Sequence, residues 1–162
     1  MGEGHPPRPH ECYAIAVGTN RGDRLANIRR AAATVQADGE MKIIAQARLS
    51  ETAPVGGPAG QDAFLNGAWI VATRLGPHQV LHRLQAAETT GGRARTVPWG
   101  PRTIDLDLIL RGDGLRVASG VLDLPHPRFA GRAFVLVPLA DIAGDWRDPV
   151  SGMTVRALLA RL

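Results

Sequence analysis

The sequence predicts an α+β sandwich in the order β-α-β-β-α-β, followed by a C-terminal extension. Three observations carry that prediction. Strand-length apolar runs occur four times, at CYAIAVG, MKIIAQARLSE, AFLNGAWIVATRL and TIDLDLIL. Two of the stretches between them repeat apolar residues at helical spacing. Pro- and Gly-rich segments punctuate the joins.

The elements follow in order. CYAIAVG reads as a strand that ends in a turn at Gly18, Thr19 and Asn20. A helix is expected from about Asp23 to Asp38, with Leu25, Ile28, Ala32 and Val35 on one face and Gly39 to end it. MKIIAQARLSE is the second strand, and TAPVGGPAGQD is a loop. AFLNGAWIVATRL is the third strand, with Trp69 and Val71 alternating against Ile70. Pro77 opens a helix that runs to about Thr90 and turns Val80, Leu84 and Ala87 to one side. GGRARTVPWGPR is a loop, and TIDLDLIL is the fourth strand. A short strand is expected near Leu115 to Ala118, and an irregular segment or helical turn at PHPRFAGR. FVLVPLADIAG is apolar and partly helical, and Thr154 caps a last helix. This order suits a ferredoxin-like fold, one sheet covered by two helices.

Composition bounds the function. A chain of 162 residues with 44% hydrophobic content fits one globular domain. Residues 1–10 read as a flexible tail and 11–162 as a single domain. No apolar run approaches the roughly 20 residues of a membrane span. The single cysteine, Cys12, excludes an internal disulfide and fits a reducing cytoplasm. The net charge of +4 rests almost wholly on arginine, whose planar fork suits phosphate. No phosphate-binding GxxxxGK[ST], no GxGxxG after a strand and no HExxH occurs. His78 and His82 stand four apart on a helix without a third ligand in view, so they read as a solvated pair.

The chemistry concentrates in ETTGGRARTVPWGPRTIDLDLILRG. Strand alternation places Ile104, Leu106, Leu108 and Leu110 on one face, and Asp105, Asp107 and Ile109 on the other. The two carboxylates stand roughly 7 Å apart by strand rise and repel unless a cation lies between them. Oxygen-only ligands suit magnesium shared with substrate phosphates. Arg93, Arg95 and Arg102 precede the strand in one short segment. A polyphosphate held between arginines and carboxylate-bound magnesium is the arrangement that phosphoryl transfer needs. A half-exposed strand with surface ion pairs would show the same residues with no such role.

Together with VGTN, TAPVG, FLNGA and PHPR…GRAFVLVPL, this segment resembles the 6-hydroxymethyl-7,8-dihydropterin pyrophosphokinase family of the folate pathway, from about Tyr13 to the C-terminus. The resemblance implies a ferredoxin-like enzyme. It would move the β,γ-diphosphoryl group of ATP to the pterin hydroxymethyl oxygen and release AMP. It implies that Asp105 and Asp107 hold two magnesium ions and that Arg93 and Arg102 contact the triphosphate. Arg95 and Trp99 would belong to the same closing loop. Gln85, Glu88, His126 and Arg132 would lie at the nucleotide. Phe64 and Phe134 would sandwich the pterin, Asn66 would read its polar edge, and Thr52, Pro54 and Val55 would line its pocket. The implied partners are ATP and 6-hydroxymethyl-7,8-dihydropterin, with no nucleic acid and no membrane, for a cytoplasmic monomer.

The sequence departs from the family pattern at Pro98, where a basic residue is usual before the tryptophan. Ala53 and Thr19 are smaller departures. Pro98 restricts the loop Gly91–Pro101, which reads as a lid. It keeps open a second reading, a weak relative that binds nucleotide or pterin without turnover. A third reading is a basic nucleic-acid-binding module. Such sheets stack bases on an aromatic-rich strand signature that this chain lacks.

Overall fold

In the computed structural model, which describes residues 5–54, 59–91 and 103–162, strand β1 (Cys12–Thr19) lies at the middle of an antiparallel sheet. Its neighbours are β4 (Phe64–Thr73) on one side and β5 (Asp105–Arg111) on the other. Beyond β4 run β2 (Met41–Gln46) and β3 (Ser50–Thr52), both along the same edge. The predicted strand MKIIAQARLSE therefore divides in two. The chain leaves the ladder around Arg48 and Leu49, where it passes Gly67. A Cβ on Gly67 would meet Leu49 Cδ2 at 2.8 Å.

Helices α1 (Arg24–Gln36) and α2 (Pro77–Thr90) cover one face. The Asp23 carboxylate accepts from Ala26 N at 3.0 Å and starts α1. Gly39, at φ +77°, follows its end. Ile28, Ala31 and Val35 of α1 and Val80, Leu84 and Ala87 of α2 pack on Tyr13, Ile15, Val17, Trp69, Val71, Ile104, Leu106 and Leu108. This is the ferredoxin-like half that the sequence order predicts.

The other face is covered as well, and here the structure adds a layer to the expected one. Helices α3 (Ala133–Ala143) and α4 (Val155–Arg161) pack over Ala14, Ala68, Ile70, Ile109 and Leu110. Thr154 caps α4 by accepting from Ala157 N at 3.1 Å. Among the described residues this layer covers only one end of the face. Towards Gly18 it stops, and Ala16, Gly18, Asp105 and Asp107 remain half-exposed.

Two further expectations change. The pairing of β1 with β5 shifts register between Ala14 and Ile15, so Ile109 has no Cα partner. This bulge sends both Ile109 and Leu110 into the α3 side, and Leu110 does not share the face of Leu106 and Leu108. The end of the stretch read as a tail also carries local structure. Pro9–Glu11 form a 3-10 turn, and the Pro9 carbonyl lies against Gly112, where a Cβ would meet it at 2.8 Å. Past β5, the short strand near Ala118 forms β6 (Val117–Ala118), which pairs with β7 (Asp123–Leu124).

Side chains occupy the sheet margins. Gln36 Oε1 accepts from Ile43 N at 2.9 Å, and Asp141 Oδ2 accepts from Arg48 N at 2.9 Å. On the far margin Glu88 Oε2 accepts from Leu106 N at 3.0 Å, and the Ile109 carbonyl accepts from His126 N at 2.7 Å.

Candidate active site

The site lies on the end of the second sheet face that α3 and α4 leave free, and it crosses three strands. Residues directly paired across an antiparallel ladder point to the same side. Gly18 pairs with Asn66 on β4 and with Asp105 on β5, and Ala16 pairs with Ala68 and Asp107. Asn66, Asp105 and Asp107 therefore share this face. Leu106 and Leu108, between and beyond the carboxylates, sink into the α1–α2 core. The alternation read from the sequence holds up to the bulge.

On the β4 side, Asn66 is 5% exposed. Its Nδ2 donates to Thr52 Oγ1 at 2.6 Å. Among the described residues its amide oxygen has no hydrogen-bond partner, and that oxygen faces Gly18, 3.7 Å from where a Cβ would stand. A buried amide holding one bond and presenting an acceptor is equipped to read a polar edge. Phe64, two residues earlier, presents Cδ1 to the same point at 3.7 Å. Thr52 pairs with Phe64 across β3 and β4. Thr52, Phe64 and Asn66 are thus brought together. Pro54 follows β3, half-buried. Val55 lies outside the described residues.

Phe134 stands in the first turn of α3, 36% exposed. The Arg132 guanidinium lies 5.5 Å from its ring centroid, a cation–π contact that joins a nucleotide candidate to a pterin candidate. His126 is fixed by its own N–H on the Ile109 carbonyl, and its Nδ1 accepts from Arg128 N at 3.2 Å. The anchoring carbonyl belongs to the bulge residue of β5, which lies at the edge of the sheet. Burial pushes the His126 imidazole below its ordinary value. The positive charges of Arg132 and Arg128 add to this, and Asp123 opposes them.

Glu88 and Gln85 separate. Gln85 is exposed on α2, whereas Glu88 is 4% exposed with its carboxylate on Leu106 N, between the two aspartates. This bond ties α2 to the carboxylate strand. Arg93, Arg95, Pro98, Trp99 and Arg102 lie outside the described residues. Away from the site, His78 Nε2 is 2.8 Å from Ser119 Oγ.

The donor set at Asp105 and Asp107 is hard and sparse. Among the described residues no group of three His, Cys, Asp or Glu gathers anywhere. A cation on this pair would complete its shell with oxygens from water and phosphate, which fits magnesium and not zinc. Gly18 is the residue that sequence reading misses. VGTN reads as a turn after the strand, yet β1 continues to Thr19 and places Gly18 in the floor of the site. The pairing of β1 with two strands, the fact that would have exposed it, is a tertiary one.

Residues 14–144 match the family model described as 7,8-dihydro-6-hydroxymethylpterin-pyrophosphokinase. A 2-amino-4-hydroxy-6-hydroxymethyldihydropteridine pyrophosphokinase of Synechocystis is 37% identical over 156 residues, 95% of this chain and 78% of the relative. The enzyme of that name from Pseudomonas aeruginosa is 40% identical over 146 residues, 90% of this chain and 88% of the relative. Among solved structures, wild-type Plasmodium falciparum HPPK-DHPS with pteroate superposes with a TM-score of 0.70 at 14% identity. That match covers 93% of this chain and 42% of the other, so this chain spans less than half of it. At such identity the likeness concerns the fold.

Proposed function

From the premise that the chain belongs to the 7,8-dihydro-6-hydroxymethylpterin-pyrophosphokinase family, we propose how its own residues perform the family's reaction. The protein is a pyrophosphokinase of folate biosynthesis, with ATP as co-substrate and a hydroxymethyl dihydropterin as acceptor. One observation supports the residue-level reading above the others. A ring, a partly bonded buried amide and two carboxylates lie on one open patch of sheet, in the row Asn66, Gly18, Asp105.

The pterin stacks on Phe64 and Phe134, and Asn66, oriented by Thr52, takes the polar edge of the ring. Pro54 and Val55 close that pocket. Asp105 and Asp107 would hold two magnesium ions. When bound, magnesium neutralises phosphate charge and polarises the transferred group. Arg93, Arg95, Arg102, His126 and Arg132 position the triphosphate, Gln85 lies at the nucleotide, and Trp99 helps to close the site. The pterin hydroxyl oxygen bonds to the β-phosphorus and loses its proton to solvent, as the bond from that phosphorus to the bridging oxygen breaks and AMP leaves with that oxygen. Leu106, buried between the aspartates and held by Glu88, keeps their spacing fixed as charge shifts, the preorganisation on which such electrostatic catalysis depends.

The test is AMP release from ATP and magnesium, with and without 6-hydroxymethyl-7,8-dihydropterin. AMP is expected only with both substrates. ATP and pterin binding without AMP would establish instead the weak relative that Pro98 keeps open.

A further inference from the structure

Gly18 stands midway between the two halves of the site. It is the Cα partner of Asn66 on one side and of Asp105 on the other. The amide and the first carboxylate are therefore two strand spacings apart, roughly 10 Å. A Cβ built on Gly18 would lie 3.7 Å from Asn66 Oδ1, 3.7 Å from Phe64 Cδ1 and 4.0 Å from Asp105 Cβ. These are ordinary van der Waals separations, and the residue lies outside the left-handed region of backbone space. Neither crowding within the protein nor backbone strain calls for glycine here. Glycine weakens a strand interior and often marks a place where a ligand approaches closely. The next residue of β1 on this face, Ala16 opposite Asp107, is also small.

We propose that Gly18 is a specificity-determining residue whose bare Cα forms the floor over which the acceptor's hydroxymethyl arm crosses from the ring subsite to the carboxylates. The inference rests on the function given above and adds a residue that selects for the arm. Any group joining a ring at Phe64 and Asn66 to a phosphorus held at Asp105 and Asp107 passes over β1, and Gly18 is the point of passage. A methyl there would leave the protein's own contacts intact and fill the space of the arm.

Gly18→Ala is therefore expected to fold and to melt no lower than the parent. Its affinity for ATP should be unchanged. The KM for 6-hydroxymethyl-7,8-dihydropterin, and its Kd read by pterin fluorescence without ATP, should rise by about tenfold or more. A dihydropterin unsubstituted at carbon 6 should bind the variant and the parent alike. Unchanged constants for the hydroxymethylpterin would overturn the proposal, as would equal losses for both pterins. The parent separates this inference from the reading beneath it. If the parent releases no AMP, the function fails. If the parent turns over and the variant matches it, only the role of Gly18 fails. Should the variant not fold, the amide resonance of Gly18 in the labelled parent decides. It should move further with the hydroxymethylpterin than with the unsubstituted ring, and equal movement overturns the proposal.

Discussion

Asp107 sits on a strand whose opposite face is anchored by Leu106 and Leu108, so its carboxylate can be removed without touching that core. Asp107→Ala should keep the fold and lose AMP release by roughly a hundredfold or more, the scale expected when a transition-state charge contact is removed. Circular dichroism beside the AMP assay checks both halves. Asn66→Ala should weaken pterin binding by about 1–3 kcal/mol and leave ATP binding unchanged, measured by separate titrations. Equal losses would assign Asn66 to the fold through Thr52. His126 gives a pH signature. Its folded value lies below the ordinary 6.5 because of burial first and then Arg132 and Arg128. The unfolded chain takes up that proton near pH 6.5 and the folded chain only at lower pH. Stability from this group is therefore complete above 6.5 and declines as pH falls from there towards the folded value. Urea midpoints above and below 6.5 should converge in His126→Gln. Asp113, held below 3.8 by the Arg111 guanidinium, and Asp141, held below it by the Arg48 backbone N–H and then the Arg48 guanidinium, act in a more acid window.

Strand β5 and helix α2 act as one unit through Glu88. If the carboxylate serves Leu106 N, then Glu88→Gln retains an acceptor and should retain kcat and the KM for ATP. Glu88→Ala leaves a buried N–H unpaired and should cost about 1–3 kcal/mol of stability together with turnover. A raised KM for ATP in Glu88→Gln would return the residue to direct nucleotide contact. Elements with local signals are legible in the sequence. Helix α2 runs from Pro77 to Thr90 as its opening proline and apolar spacing indicate, and Thr154 caps as read. The bulge at Ile109 is not legible. Both Ile109 and Leu110 are apolar, and an extra residue in a ladder leaves no mark on the alternation unless a polar residue is displaced. The same limit hides the break between β2 and β3, because Gln46 to Leu49 alternate plausibly while their partner, Gly67, lies on another strand.

At the scale of the molecule, the C-terminal helices complete a second core, and the start of α3 carries the paired Phe134 and Arg132. If Phe134 stacks on the pterin as proposed, stability and pterin affinity are coupled through α3. Leu158→Ala, in the buried seam beneath it, should cost about 2–5 kcal/mol in urea unfolding. It should also raise the KM for the pterin before it lowers that for ATP. The site's location follows from this incomplete layer, which the sequence shows only as an apolar segment with Pro138 inside it. The margins of the sheet have a different consequence. Gln36 and Asp141 occupy backbone donors on the β2–β3 side, and Glu88 and His126 do the same for a donor and an acceptor on β5. An unguarded edge strand is a template on which another extended chain can grow. Here those positions are already engaged from within. At these positions the ladder beside the candidate site gives a passing polypeptide no free group on which to begin a fibril.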